Sequence, residues 1–379
     1  MFVFIFIILV FVIVIKIMPN YNQKKEVLEN NKSNNYLINS NAVTMMYETG
    51  AGSGEYQTTT DTTWPQEGYI FNERLSGCEN GGTLSWNSET NKVTMQSNIS
   101  DRCYVYFDVK KPILFADYII NEVYVSDGVN GLYYHDGVGT YTNASQEAGD
   151  NSYRYSGANP NNYICFGSDA DICPEDSLYR IIGIFENKVK IIKENKYSDN
   201  YWSGSTVNES NSWANSNLNL EILNESYLSD LGSWANKIIS TNWNVGGTHY
   251  TDLMNSSKIV FDYELGKNSV NSPYNAKIGL IYISDYGYAA YSDAWTAKLT
   301  SYDSNEIKSN NWLYNSEYQW TITPSLDYTY YAFDINADGY INNGRVYTLS
   351  IPIRPTFYLN YDVSYISGDG SKTNPYRIN

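Results

Sequence analysis

Histidine is nearly absent: His135 and His249 are the only two in 379 residues, and they lie far apart in sequence. That weakens any mechanism built on a histidine base or a histidine metal cluster. Basic residues are scarce too. Lys and Arg total 25 against 41 Asp and Glu, giving a net charge of −16. A chain this acidic is a poor nucleic-acid binder, which needs a basic surface, so no nucleic-acid partner is expected. The excess suits solubility or cation binding. Cysteine is limited to Cys78, Cys103, Cys165 and Cys173, none of them in a Cys-x-x-Cys pair, which argues against zinc and thiol-redox chemistry. Neither GxxxxGK[ST] nor GxGxxG occurs at a strand–helix junction, so no phosphate-cradling loop is expected.

What the chain does have is tyrosine, 38 in all, with 9 tryptophans and 42% hydrophobic residues. That is enough apolar matter for a folded core. Tyrosine packs on its ring and bonds at its tip, so it suits half-buried strands and binding surfaces. An AT-rich coding bias gives the same excess, together with the abundant Asn, Ile and Lys.

Residues 1–18 begin with the unbroken apolar run MFVFIFIILVFVIVI and read as a retained transmembrane anchor, with no small-residue cleavage site after it. Lys16, Lys24 and Lys25 follow the run, and the positive-inside rule taken alone would leave the body in the cytoplasm. The cysteines and the Asn- and Tyr-rich body argue for the outside. The expected location is therefore the cell membrane, with the body outside. Residues 19–41 are Asn- and Lys-rich and read as a flexible stalk. Residues 42–110 read as a small β-domain of short strands: Val43–Tyr47, Gly68–Phe71, Gly82–Trp86, Lys92–Gln96 and Cys103–Phe107. With an export signal, Cys78 with Cys103 and Cys165 with Cys173 read as two local disulfides; buried free thiols are the alternative.

Residues 113–379 read as a mixed α+β domain with an antiparallel sheet and short helices. Ile113–Tyr124 has helical spacing. Tyr179–Phe185 and Lys188–Ile192 form a hairpin across ENK. Two short helices follow, marked by Leu218, Ile222 and Leu223, then by Tyr227, Leu228, Leu231, Trp234, Ala235 and Ile238. Lys277–Ile283 reads as a central strand, and Ser284-Asp285 as the cap of a helical turn through Ala290.

NNYICFG, LYRIIGIF, VKIIKE, the tryptophan-led SWANSNLNLEILNESYLSDL, YQWTITP and IPIRPTFYLN occur in that order. This series resembles an exported domain of unknown function from low-GC Gram-positive gut bacteria. That family looks related to the C-type-lectin-like fold shared with formylglycine-generating enzymes. The resemblance covers roughly residues 113–379 and implies a lectin-like scaffold behind a small β-module. The enzymes of that fold use a late cysteine pair; this chain has no cysteine after Cys173, so the resemblance implies a binding platform without oxidase chemistry.

Asp334-Ile-Asn336-Ala-Asp338-Gly339-Tyr340-Ile341 matches the first eight positions of an EF-hand calcium loop, with Asp334, Asn336 and Asp338 as candidate ligands. Position twelve is Arg345 where an acidic ligand belongs, and a polar hairpin turn is the alternative. No other cofactor is expected. Arg354, between Pro352 and Pro355, reads as a buried ion-pair partner on an edge or bulge. His135 beside Asp136 reads as a solvated turn. Tyr286, Tyr288, Tyr291, Trp295, Tyr328, Tyr330 and Tyr331 cluster around predicted loops and form the expected ligand face, with core packing as the alternative for about half of them. Together these readings point to a membrane-anchored, non-enzymatic surface adhesin for an extracellular glycan or protein. The alternatives are a polysaccharide-acting surface enzyme, which needs a cleft-lining carboxylate pair, and a pilin-like fibre subunit.

Overall fold

The computed structural model describes residues 42–61, 64–87, 89–90, 92–97, 100–136, 146–204 and 210–379. The expected anchor, 1–18, and stalk, 19–41, lie outside the described residues. Among the described residues, no helix is long and apolar enough to cross a membrane. The chain divides into two units between Lys111 and Pro112.

The first unit is all β where described. Its sheet runs Tyr56–Thr59, Ala42–Glu48, Arg102–Val109, Tyr69–Phe71, with Gly77–Cys78 also on Arg102–Val109. The first and last strands pair parallel, Val43 opposite Cys103 and Tyr47 opposite Phe107. Cys78 faces Cys103 across the neighbouring ladder, and the two form a disulfide. A separate hairpin, Thr83–Asn87 with Lys92–Gln96, completes the unit. Met46, Val105 and Phe107 are buried, and the half-buried rings of Tyr47, Trp64, Tyr69, Phe71 and Trp86 pack with Phe107 at centroid distances of 4.7–6.3 Å.

The second unit is α+β with mostly antiparallel sheets and few helices. Its main sheet runs Ile278–Gly279, Thr356–Tyr358, Lys188–Lys193, Leu178–Phe185, Ser152–Tyr155, Leu132–His135, with Tyr163–Cys165 also on Leu178–Phe185. The hairpin forms where the two short apolar runs on either side of a polar turn predict it. Glu186 and Asn187 both take positive φ, 49° and 62°, as a two-residue turn requires. A bulge between Ile181 and Gly183 brings Gly183 against Ser152–Tyr155. A Cβ there would stand 2.2 Å from the Tyr153 carbonyl oxygen, so only glycine fits. Ile181, Ile184, Val189, Ile191 and Ile192 are all buried and sit in one large core.

Three expectations are corrected. Ile113–Leu114 is a short strand paired with Ser364–Ser367, and helix begins only at Phe115. Lys277–Ile283 is not a central strand: Ile278–Gly279 alone pairs, at the sheet edge, and Ile283–Ala289 is already helix. Ile278, Leu280, Ile281, Tyr282 and Ile283 are nonetheless all buried in the large core, which in sequence reads like a central strand. His135 is no solvated turn. It ends the strand Leu132–His135, is fully buried, and its Nδ1 accepts from the Ala148 N–H at 2.9 Å. Arg354 does sit buried beside a carboxylate: its Nη2 is 3.6 Å from Glu194 Oε2 and its Nε donates to the Lys193 carbonyl at 2.8 Å. Pro352 lies in a two-stranded ladder opposite Asp199, where no donor is needed from it.

The smaller sheet Gln319–Pro324, Tyr331–Ile335, Ile341–Arg345 carries the candidate site. Its first connection, residues 325–330, spans from buried Pro324 to half-buried Tyr331.

Candidate functional site

The 325–330 connection is held in shape from outside itself. Asn211 donates its main-chain N–H to the Thr329 carbonyl, and its side-chain amide lies within bonding reach of the Ser325, Tyr328 and Tyr331 carbonyls at 2.8, 3.2 and 2.8 Å. On the other side Asp327 receives the Tyr250 N–H at 2.7 Å and sits 2.8 Å from His249 Nδ1. The Tyr250 N–H, then the His249 ring, hold the Asp327 carboxyl below its usual range. Asn211, Asp327 and His249 thus position the loop, and sequence reasoning missed this. Asn211 lies more than 100 residues from the carbonyls it binds, and no spacing rule reaches that far.

So held, the loop brings Tyr328 and Tyr330 beside Tyr331, the first residue of the next strand. Their ring centroids are 5.7 Å apart for Tyr328–Tyr330 and Tyr328–Tyr331, and 4.9 Å for Tyr330–Tyr331. Tyr328 is 54% exposed; the other two are half-buried. Arg345, exposed at the end of the neighbouring strand, places its guanidinium 6.0 Å from the Tyr330 ring centre and its Nε 3.4 Å from the Tyr331 hydroxyl. Three aromatic faces with a cation at their edge can stack a flat apolar surface and bind an anionic group beside it.

The other four expected ligand-face residues are not part of this surface. Tyr286, Tyr288 and Trp295 are 0%, 1% and 3% exposed. The helix Ile283–Ala289 is buried along its whole length, so its tyrosines pack inward. The Tyr286 hydroxyl donates to the Gly339 carbonyl, and the Trp295 N–H to the Ala290 carbonyl. Tyr291 is half-buried and lines a separate concavity of about 380 Å³ beside Asn130, Tyr133 and Asn159.

The three candidate calcium ligands face different ways. Asp334 belongs to the strand Tyr331–Ile335, paired with Trp320 and Asn342, and its carboxyl is fully buried. Asn336 Oδ1 accepts the Asp338 N–H, and the Asn336 amide faces the Tyr318 and Tyr340 hydroxyls. Asp338 is exposed. One candidate ligand points into the core, one is used by the turn and one faces solvent, so the residues fit a hairpin turn better than a cation cage. Cys78, Asp101 and Cys103 converge within 4.8 Å, but both sulfurs are in a disulfide and Asp101 accepts the Asn80, Gly82 and Arg102 N–H groups. That group does not fit a metal either.

A buried charge network lies deeper in the second unit. Lys190 donates to Asp285 at 2.5 Å, Arg154 Nη1 stands 3.7 Å from Asp285, and Arg154 Nη2 is 2.6 Å from Asp150. Glu264 accepts the Ile283 and Ser284 N–H groups at 2.9 Å, closing the start of the helix Ile283–Ala289. Burial pushes the Glu264 carboxyl up and the Lys190 ammonium down. Lys190, Asp285, Arg154 and Glu264 are buried and lock a helix to the sheet, while Asp150 at the end of the network is a quarter exposed.

Comparison with protein-family models, curated proteins and solved structures returned no match.

Proposed function

We propose that this chain is a non-enzymatic cell-surface binding protein that recognises an extracellular glycan through the tyrosine platform of its second unit. The carrying observation is the group of Tyr328, Tyr330 and Tyr331, with centroids 4.9–5.7 Å apart and Arg345 at the edge. Rigid aromatic faces bind at low entropic cost, and the cation favours a glycan bearing a carboxylate or sulfate. The antiparallel α+β build supports reading the second unit as a C-type-lectin-like scaffold. Two disulfides support an extracellular location, and residues 1–18 would then anchor the body from outside.

Glycan-array binding by the purified protein tests the reading. Acidic glycans should be retained by the native chain and lost by Tyr328→Ala/Tyr330→Ala. An array without signal, or binding that the double substitution leaves intact, would sink it. Protease accessibility of the second unit on whole cells tests the topology.

A further inference from the structure

The second unit also carries a cleft of about 480 Å³ that shares no residue with the tyrosine platform. Its walls come from four separate pieces of chain, one of them supplying Asn379. The tight helix Gly232–Lys237 supplies Trp234, Asn236 and Lys237. The turn after the strand Thr356–Tyr358 supplies Asn360 and Asp362. The loop closed by the Cys165–Cys173 disulfide supplies Asp169.

These walls are pinned to one another. The Asn360 main-chain N–H donates to the Lys237 carbonyl at 2.8 Å, and its side-chain amide donates to the Asn236 carbonyl at 2.6 Å. Ile238 and Leu359, the chain neighbours of Lys237 and Asn360, form a β-bridge. Trp234 is half-buried, held edge-on against Phe166 with centroids 5.1 Å apart. The Lys237 ammonium lies 5.3 Å from the Trp234 ring centre. The cleft is therefore formed before any ligand arrives, and its volume falls in the range of small-molecule sites.

Its chemistry is specific. An indole offers a flat apolar surface for the C–H face of a sugar ring. Asparagine amides and aspartate carboxylates offer donors and acceptors for hydroxyl groups. The two carboxylates outnumber the one ammonium, so the lining repels an acidic ligand and attracts an amine. Asp169 and Asp362 are both exposed, whereas a glycosidase acid must be kept dry to hold its proton. The set is built to bind a sugar, not to cleave one.

We infer that this cleft binds a single non-acidic pyranose residue, with hexosamines preferred. It is a second site, separate from the tyrosine platform and opposite to it in charge preference.

The test is ligand-observed saturation-transfer NMR on the whole protein, with glucosamine, N-acetylglucosamine, glucose and glucuronate as probes and the indole emission as a second readout. Glucosamine should bind in the millimolar range and glucuronate should not. Trp234→Ala should weaken glucosamine at least about tenfold, as for loss of a central aromatic anchor. Because that change also removes a packing contact, Asp362→Lys is the paired variant. Being exposed, it should leave the melting temperature unchanged, weaken glucosamine at least about fivefold and admit glucuronate. Tyr328→Ala should leave glucosamine binding as it was. The inference is overturned if no probe gives transfer, if glucuronate binds the native chain as well as glucosamine does, if neither Trp234→Ala nor Asp362→Lys weakens binding, or if Tyr328→Ala abolishes it.

Discussion

Lys190 and Asp285, 95 residues apart, meet at 2.5 Å with each side chain 1% exposed. Lys190 comes from the central hairpin and Asp285 from the helix Ile283–Ala289, so the pair fastens helix to sheet. Charges taken this far from water must be matched. Asp285→Ala leaves the Lys190 ammonium buried without its carboxylate and leaves Arg154 with Asp150 alone. Denaturant unfolding should record a loss of about 3–5 kcal/mol. Lys190→Met/Asp285→Leu, which removes both charges, should lose clearly less. Equal losses in the two proteins would refute the pairing argument.

Asp334 is the opposite case, a buried carboxyl whose two oxygens have no hydrogen-bond partner. Burial pushes it from 3.8 up to about 7. The folded state therefore keeps a proton that the unfolded chain releases near pH 4. Stability from this group is complete below pH 3.8 and is lost as pH rises through about 7. Asp334→Asn cannot ionise. Its stability relative to the native chain should be near zero at pH 4 and rise to on the order of 2–4 kcal/mol at pH 8. Melting curves at the two pH values test this, and a difference independent of pH would contradict it.

His135 shifts the other way. Burial first, then the nearby Arg154 charge, hold its imidazole well below the ordinary 6.5. The unfolded chain binds a proton below pH 6.5 that the folded protein refuses, so this stability is complete above 6.5 and falls as pH drops. Between pH 6 and 5 the native chain should lose stability with a slope approaching about 1.4 kcal/mol per pH unit more than His135→Gln does. Glutamine keeps an acceptor for the Ala148 N–H. Parallel pH profiles would count against the assignment.

The two groups of tyrosines should separate by assay. Tyr286→Ala empties a fully buried site and removes a bond to the Gly339 carbonyl, so it should lower stability by about 3–5 kcal/mol. Tyr328→Ala, at 54% exposure, should change stability by less than about 0.5 kcal/mol while weakening glycan binding. A thermal-shift series covering both settles which tyrosines are structural.

Cys165 and Cys173 close a loop with a sequence separation of 8. Chain entropy assigns such a short closure roughly 2–3 kcal/mol. Cys165→Ser/Cys173→Ser should lower the unfolding free energy by that amount and make the Gly167–Asp171 stretch sensitive to protease. Unchanged cleavage of that stretch would mean other contacts hold it.

Sequence alone determined the elements whose cause is local. The Tyr179–Phe185 hairpin followed from two short runs rich in Ile and aromatics on either side of a polar turn. The disulfide partners followed from cysteines neighbouring in the chain. The antiparallel α+β character of the second unit followed from many short strands broken by turn residues, and Arg354 read correctly as needing a partner. Tertiary structure alone decided which aromatics face inward. Tyr286 and Tyr328 sit in equally tyrosine-rich, turn-flanked stretches; one lies under a layer of chain and the other does not, and periodicity gives a side chain's direction without saying what covers it. The same limit explains Asp334, whose loop-like motif is partly strand because Trp320 and Asn342 pair with it, and Asn211, which shapes the platform from more than 100 residues away. Local propensity acts over a few residues, whereas burial, charge pairing and site assembly depend on segments that only folding brings together.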